Sequence, residues 1–319
     1  MNIPTIIATH SGSHHADDCF GVAVLRMLHP DARIVRTREP QLIAAADYAV
    51  DVGGEWDPSR GRFDHHQKGF VGKRANSGVV YASAGLVWEA QGRQLIAMLN
   101  PDLSEQDVQV IHWNIDDELV QHLDMADTGA AQGAPGLFGL SALLAQFNRT
   151  RVENEGLAAF AGPDRAYELT ERARFDAFMG AVAVTQQLLQ RVIAQAYDER
   201  LGNKLVREGE RLFGGAVLVL PVASLSWAKV VCEEMPEVLF VVYPDSSDRQ
   251  YQVRTVPVEP ESFKARRDLP AAWAGLRDQA LADLTGVPDA VFCHNGRFIG
   301  GAVSKEGAIA MAKLALQDQ

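Results

Sequence analysis

The sequence predicts an α/β protein with a parallel-sheet domain, a helical middle region and a smaller C-terminal α/β domain. Short apolar runs alternate with helical patterns over residues 5–51, which indicates a parallel sheet covered by helices. Helical patterns then dominate to about residue 201, and strand-like runs return after it. The 319 residues are enough to form two domains. We therefore expect domains at residues 1–202 and 203–319.

Polar residues stand at the ends of the first predicted strands. The apolar run at 5–9 precedes a polar turn, and the run at 48–51 ends in a carboxylate. After a Gly-Gly turn, a further short segment ends in the Asp-His-His motif at 64–66. Because ligands of parallel sheets bind at the carboxyl ends of strands, this edge is the predicted site. The other elements predicted here are a strand at 32–36 and helices at 19–28 and 40–46.

Helices are predicted through the middle of the chain, and strands return in the last third. Ser104 and Asp107 form a capping-box pattern that opens a helix running toward Asp127. A long apolar stripe predicts another helix over 172–201. The remaining predicted helices are at 83–91, 139–147, 272–284 and 307–316, and the predicted strands are at 216–220, 238–243, 251–258 and 290–293.

Histidines and aspartates cluster in the segments 10–18 and 51–66, which hold five of the nine histidines. Carboxylate oxygen and imidazole nitrogen, with no thiolate, suit Mn²⁺, Mg²⁺ or Zn²⁺. Any one of these residues can be a capping Asp or a hydrogen-bonded core His, but the whole set indicates a metal centre. His15 is favoured over His14 as a ligand because it lies two residues before Asp17.

Two motifs outside these segments have both a functional and a structural interpretation. Asp124 and Asp127 share one helix face, either as ligands or at a solvated helix end capped by Gly129. Gly300 and Gly301 precede a predicted helix, and their backbone N–H groups can approach a phosphate. The same domain carries basic side chains that predict an anion pocket or form ordinary surface charge: Arg254, Arg266, Arg267, His294 and Lys305.

The composition excludes some partners. A formal net charge of −11 argues against tight binding to long duplex nucleic acid, but permits a small or single-stranded phosphorylated substrate. The three cysteines are far apart and odd in number, so we expect free thiols and a cytoplasmic location. We expect no signal peptide and no membrane span, since no apolar run approaches about 18 residues. The sequence is compatible with a homodimer.

Nine stretches match a known family in order along nearly the whole chain. The chain resembles the melanocyte-proliferating-gene (MYG) exonuclease family, a branch of the DHH phosphoesterase superfamily. The segment at 150–215 matches this pattern poorly. His14 stands where the family usually has Phe, and Asp-Thr-Gly at 127–129 replaces its usual Asp-Asn-Gly. The matching stretches are 9–18, 35–38, 50–58, 64–67, 83–86, 124–129, 262–276, 296–301 and 307–312.

The resemblance implies a DHH-type catalytic domain with two divalent metal ions, expected to be Mn²⁺, and a C-terminal substrate-binding domain. It also implies 3′–5′ exonuclease action on RNA. Asp64 and His66 would then be catalytic, with Asp64 orienting the imidazoles and His66 stabilising the phosphoryl group or protonating the leaving oxygen. By the same pattern the metal ligands would be His10, His15, Asp17, Asp51, His65 and Asp127.

The expected substrate is single-stranded RNA, a short oligonucleotide or a nucleotide. Arg254, Arg267, His294, Gly300 and Gly301 are predicted to bind its part remote from the metals. The alternative within the enzyme class is a phosphatase of bisphosphorylated nucleotides or a pyrophosphatase-like hydrolase. A metal-binding module without catalysis is disfavoured because no expected ligand is missing. Nucleic-acid binding without chemistry is disfavoured by the net charge.

Overall fold

A computed structural model describes residues 4–130, 139–223, 226–247 and 249–318 of the protein. The chain divides into two compact units, Met1–Tyr197 and Asp198–Gln319. Each unit contains a mixed β-sheet with helices and its own buried apolar residues. The predicted α/β class is therefore confirmed.

The first sheet is parallel except at one edge. Its strands lie in the order β2-β1-β3-β5-β4. The neighbours among β1, β2, β3 and β5 pair in parallel, and β4 pairs antiparallel to β5. Only four residues separate β4 from β5, which is too short for a parallel crossover. The strands are β1 (Ile6–Thr9), β2 (Arg33–Arg36), β3 (Tyr48–Val50), β4 (Trp56–Asp57) and β5 (Arg62–Phe63).

Eight helices of the described residues belong wholly or mainly to the first unit. The helix predicted to run toward Asp127 is interrupted by a π-helical segment, Asp116–Val120. The helix predicted to end at residue 201 continues to Arg207, past the predicted boundary at 202–203. The helices are α1 (Ala16–Leu28), α2 (Pro40–Ala45), α3 (Ser83–Leu99), α4 (Glu105–Ile115), α5 (Gln121–Asp127), α6 (Leu140–Ala145), α7 (Arg151–Ala161) and α8 (Ala166–Arg207).

The start of α1 is held close to the carboxyl edge of the first sheet. Gly21 permits this approach, because a Cβ there would lie 2.7 Å from Val50 Cγ1 on β3. Phe20 and Trp88 pack edge to face between α1 and α3, with ring centroids 6.1 Å apart. Both rings are buried in the apolar core. This packing positions the polar N-terminus of α1 beside the ends of β1 and β3.

The second sheet is mostly antiparallel, in the order β10-β11-β9-β8-β7-β6. Only β7 and β8 pair in parallel among its described strands. The sequence patterns missed β6, β11 and α9, which are short. The strands are β6 (Glu210–Leu212), β7 (Val217–Val219), β8 (Phe240–Pro244), β9 (Tyr251–Thr255), β10 (Ala290–Cys293) and β11 (Ile299–Ala302), and the helices are α9 (Trp227–Glu234), α10 (Asp278–Thr285) and α11 (Lys305–Gln317).

The glycine pair expected ahead of the last helix belongs to a strand. Gly300 and Gly301 lie inside β11, which pairs with β10 on one side and β9 on the other. A Cβ on Gly300 would lie 3.0 Å from the Phe292 carbonyl, and one on Gly301 would lie 3.0 Å from the Tyr251 carbonyl. The two glycines are needed for close packing within the sheet.

Across the described parts of the chain, no helix has both the length and the apolar character needed to cross a membrane.

Candidate metal centre

The carboxyl edge of the first sheet gathers polar side chains from separate elements. His10 directly follows β1, Asp51 follows β3, and the residues 64–66 follow β5. Asp51 has a φ of 55°, a left-handed conformation that Asp tolerates better than most residues. The first turn of α1 and the end of α5 add further acids.

The imidazole and carboxylate groups of this edge lie close enough to one another to bind the same metal ion. His10 Nε2 is 3.3 Å from Asp51 Oδ2, and His66 Nδ1 is 3.2 Å from Asp51 Oδ1. His65 Nε2 lies 3.2 Å from Asp127 Oδ2. Asp51 therefore contacts histidines from two different strand ends.

Three overlapping groups of side chains could each hold a metal ion, with ligand atoms within 4.8 Å of one another. Asp51 and His65 each belong to two groups, and the two carboxylate oxygens of Asp51 could bind neighbouring ions. Every residue predicted as a metal ligand occurs in at least one group. The groups are His10, His15 and Asp51; Asp17, His65 and Asp127; and Asp51, Asp64, His65 and His66.

Buried polar atoms at this edge lack protein partners. His10 Nε2 and Asp18 Oδ2 are inaccessible to solvent and have no hydrogen-bond partner, although they lie 3.3 Å apart. Burial raises the pKa of Asp17 well above its usual range, and the nearby carboxylates of Asp51, Asp127 and Asp124 add to this. A divalent cation would neutralise this charge, since burying unpaired carboxylates is unfavourable. The residues therefore fit a divalent metal ion.

His10 and Asp51 stabilise each other's charged forms. Burial acts to lower the pKa of His10, but the contact with Asp51 and the charges of Asp18 and Asp51 raise it. Burial acts to raise the pKa of Asp51, but its contact with His10 lowers it. In the same way burial opposes the charged form of His65, yet its contact with Asp127 and the charge of Asp51 raise its pKa. Asp51 is therefore a carboxylate and a suitable hard ligand.

Asp64 and His66, predicted as catalytic, are in contact. Asp64 Oδ1 lies 2.8 Å from His66 Nδ1 and accepts the backbone N–H of His66 at 3.1 Å. Asp64 Oδ2 accepts the N–H of Gly54 at 2.6 Å, which fixes the carboxylate. Asp64 is buried, whereas the His66 side chain is 62% exposed. Asp64 therefore orients an imidazole that a ligand can reach.

The N-terminus of α3 supports the same cluster, and sequence reasoning missed it. Asp17 accepts the backbone N–H groups of Ser83 at 3.1 Å and Ala84 at 2.6 Å. Ser83 Oγ lies 3.2 Å from His65 Nδ1 and donates to Asp51 Oδ1 at 3.4 Å. Asp18 was also missed as a partner of His10, although its capping-box position three residues after His15 was visible. Ser83 carried two signals, its place at a predicted helix start and its place in the matching stretch 83–86.

Two further residues of the matching motifs have structural partners. His14 is buried with its ring edge against Phe178, at a centroid distance of 5.7 Å. Burial, with a contribution from Arg36, lowers the pKa of His14 to about 4. Asp124 accepts from Arg74 Nη1 at 2.7 Å and from the Gly85 N–H at 2.9 Å. Neither residue belongs to the three ligand groups.

The basic residues of the second unit serve different purposes. Arg266 donates to the backbone carbonyls of Val231, Cys232, Met235 and Val238. These bonds anchor the end of α9, so the expected role of Arg266 in an anion pocket is wrong.

Other predicted anion ligands also have partners on their own unit. Arg267 donates to the Asp318 carbonyl, and Lys305 Nζ lies 3.1 Å from Glu210. The imidazole ring of His294 contacts the ring of Phe298, with the ring centroids 4.5 Å apart.

Arg254 lies in a different environment, a cavity of about 510 Å³ that Trp227, Phe263 and Phe298 also line. Its guanidinium has no hydrogen bond or ion pair with the described residues of the chain. Phe263 is fully exposed. Phe298 lines the same cavity as Arg254 and also contacts His294, and Arg254 is available to a ligand.

Fold and site together define an α/β protein with a candidate metal centre at the carboxyl edge of a largely parallel sheet. The model of the MYG1 exonuclease family, described as "Uncharacterised protein family (UPF0160)", matches residues 6–316. The chain belongs to this family.

Relatives match over nearly the full length. The human protein named MYG1 exonuclease is 33% identical over 98% of this chain and 86% of its own length. The mouse MYG1 exonuclease is 34% identical over 98% and 85%, and the Saccharomyces cerevisiae MYG1 protein YER156C is 34% identical over 97% and 95%. A solved structure of an uncharacterized Helicobacter pylori G27 protein covers 99% of this chain and 98% of its own, but its TM-score of 0.25 at 11% identity supports no conclusion. The family names support a nuclease-type hydrolase.

Proposed function

We propose that this chain is a divalent-metal-dependent phosphoesterase that removes nucleotides from the 3′ end of single-stranded RNA or short oligonucleotides. The observation that carries this proposal is the convergence of six His and Asp side chains from five separate elements into overlapping ligand groups. Relatives named exonucleases make a phosphodiester the reasonable substrate bond.

The six predicted ligands are the residues that would hold two ions, with Mn²⁺ as the expected metal. Asp51, which belongs to two ligand groups and has two carboxylate oxygens, would be the ligand shared between the ions. When bound, such ions activate water and stabilise negative charge on a phosphoryl group. The remaining ligands would be His10, His15, Asp17 and Asp127.

The chain's own residues supply the proton chemistry. Asp64, fixed by the Gly54 N–H, holds Nδ1 of His66 at 2.8 Å. That contact directs Nε2 of His66 away from Asp64, on a side chain that is 62% exposed. His66 can therefore donate a proton from Nε2 to the leaving oxygen of the ester. Asp64 stabilises the protonated imidazole in the same way that an orienting carboxylate does in other His sites.

The second unit supports a nucleotide rather than a simple phosphate ester as substrate. Its cavity of about 510 Å³ lies within the range of about 300–1,000 Å³ usual for small-molecule sites. Phe263 and Phe298 offer rings on which a base can stack, and Arg254 offers donors for a phosphate. We assign to Arg254 and His294 the binding of a substrate part remote from the reacting phosphate.

The test is hydrolysis by the purified chain with EDTA or with added Mn²⁺. Substrates are a short single-stranded RNA, the matching DNA and a 3′,5′-bisphosphate nucleotide. We expect Mn²⁺-dependent release of mononucleotides from the 3′ end of RNA, absent from Asp51→Asn and retained in Asp31→Asn, a control at an exposed aspartate. Phosphate release from the bisphosphate nucleotide alone would favour a nucleotide phosphatase instead. No metal-dependent hydrolysis of any substrate would contradict the proposal.

A further inference from the structure

The first unit contains a polar cavity beside the loop that carries His10 and His15. Its volume is about 250 Å³. Gly12, Ser13 and His14 of this loop form one wall of the cavity. His10 and His15 of the same loop belong to the metal-ligand groups. The other walls come from residues 148–154, around the start of α7, and from α8. The lining residues outside the loop are Asn148, Arg149, Asn154, Arg174 and Ala177.

The loop is held rigidly on this cavity side. Asn148 clamps the backbone of His14, accepting its N–H at 2.9 Å and donating to its carbonyl at 2.8 Å. Arg36 donates to the carbonyl of Gly12 at 3.0 Å and to that of His10 at 3.1 Å. The carbonyls of His10, Gly12 and His14 are therefore satisfied by side chains of the protein.

The cavity is cationic in an acidic protein. Two of its eight lining residues are arginines and none is an acid, although the chain has a net charge of −11. Arg149 donates to Asn154 Oδ1 at 3.1 Å and to the Glu153 carbonyl at 3.2 Å, and has no ion pair with the described residues. Arg174 has one acidic partner, Glu171, at 2.6 Å. Arg149 thus has no carboxylate in direct contact among the described residues, and Glu153 is an acid whose charge interacts with it at longer range.

We propose that this cavity is a second anion site, which binds a phosphate group between Arg149 and Arg174. Guanidinium groups with a neighbouring amide donor match phosphate oxygens, and the side-chain N–H₂ of Asn154 supplies such a donor. A volume of about 250 Å³ holds a phosphate with its sugar or with water, but lies below the range usual for larger ligands. The phosphate is either the terminal phosphate of a substrate or a free anion. Only the first source depends on the proposed function.

The first measurement is binding of inorganic phosphate to the full chain in EDTA, so that bound metal contributes nothing. Titration calorimetry compares wild type with Arg149→Gln, Arg174→Gln and the matched control Arg172→Gln. Arg172 lies on the same helix, pairs with Asp176 and does not line the cavity. We expect both cavity variants to weaken binding at least about tenfold, the effect of losing one charge-assisted hydrogen bond. Binding by Arg172→Gln should equal that of wild type.

The second measurement distinguishes the two phosphate sources. KM is determined with Mn²⁺ for a dinucleotide without a terminal phosphate, with a 5′-phosphate and with a 3′-phosphate. A KM advantage of one phosphorylated form that disappears in Arg174→Gln identifies the substrate as the source. Equal KM values for the three forms, together with Arg-dependent phosphate binding, identify a free anion. Failure of all hydrolysis would affect the proposed function but leave the first measurement interpretable.

The inference is overturned if wild type binds no phosphate in EDTA, or if all three Arg variants bind it as wild type does. Melting curves of each variant check folding. Because a loss of fold would also weaken binding, Arg174→Lys is a further variant that keeps the charge. It should bind phosphate more tightly than Arg174→Gln, and equal binding by these two variants would also contradict a phosphate contact.

Discussion

The two units differ in whether their buried polar side chains have hydrogen-bond partners. Seven buried side-chain polar atoms of the described residues lack a hydrogen-bond partner, and all belong to the first unit. Four of them lie on Thr9, His10, His14 and Asp18, at the end of β1 and the start of α1. In the second unit a large cation such as Arg266 is instead surrounded by backbone carbonyls.

This difference separates a ligand site from a structural network. Nearly all buried polar groups in proteins are paired, so a concentration of unpaired ones indicates partners that the protein itself does not supply. At the edge of the first sheet the missing partners of His10 Nε2 and Asp18 Oδ2 fit cations, because these two atoms lie among carboxylates and imidazoles. Substitutions of the paired carboxylates and imidazoles in the first unit should therefore reduce catalysis. Substitution of a buried, hydrogen-bonded residue such as Arg266 in the second unit should reduce stability.

The largest expected effect is that of Asp51→Asn in the first unit. Asp51 belongs to two ligand groups, and a neutral amide is a poor ligand shared between two ions. We expect kcat with Mn²⁺ to fall more than about a thousandfold, which corresponds to about 4 kcal/mol of transition-state stabilisation. Circular dichroism and melting should show a folded protein. A rate near that of wild type at saturating Mn²⁺ would remove Asp51 from the metal centre.

Arg266→Ala tests the structural side of the comparison. The substitution leaves four carbonyl acceptors without their shared donor, at the end of α9. We expect a loss of about 2–3 kcal/mol in the free energy of unfolding of this unit. Hydrolysis of a small chromogenic phosphodiester should be unchanged below the melting temperature. Chemical denaturation measures the first quantity, and a loss of kcat at unaltered stability would show that the assignment is wrong.

Arg254→Ala should show the opposite pattern within the same unit. Arg254 is exposed and has no partner among the described residues, so its removal should leave unfolding unchanged. Loss of a phosphate contact of about 1.5–3 kcal/mol would raise KM for an oligonucleotide roughly 10- to 150-fold. Hydrolysis of the small phosphodiester should barely change. Arg267→Ala is the comparison variant: Arg267 was predicted to bind substrate, and its bond to the Asp318 carbonyl gives it a structural partner. An equal rise of KM in both variants would show that Arg267 also contacts substrate.

The same contrast explains which parts the sequence predicted well. Three of the six ligands implied by the family resemblance, His10, Asp51 and His65, lie close together because the carboxyl ends of neighbouring parallel strands meet at one edge. Antiparallel strands give no such rule. The sequence pattern therefore places Gly300 and Gly301 ahead of a helix N-terminus but does not predict that they lie in β11, between two antiparallel strands. Sequence patterns also could not reveal Ser83, since its contacts depend on the placement of α3 against two strand ends.

The smallest expected effect is that of His14→Phe, because His14 has features of both a ligand-site residue and a core residue. His14 precedes a predicted metal ligand, yet it packs against Phe178 like a core residue. Burial lowers the pKa of His14 from 6.5 to about 4, so the folded protein keeps the ring neutral over this range. The unfolded chain takes up a proton below about pH 6.5, and stability therefore falls as the pH decreases toward 4. The slope is at most about 1.4 kcal/mol per pH unit.

Phe cannot titrate, so the variant should lose this part of the acid sensitivity. Between about pH 7.5 and about pH 5, wild type should lose about 2 kcal/mol more unfolding free energy than His14→Phe. Both proteins are measured in EDTA, where His10 and His65 titrate equally in each and cancel from the difference. His122→Phe, at an exposed histidine, is the control and should retain the wild-type slope. Identical slopes for wild type and His14→Phe would mean that the ring at position 14 is protonated in the folded protein. His14 would then belong with the charged groups of the strand edge, because only a nearby negative charge can hold a buried imidazolium.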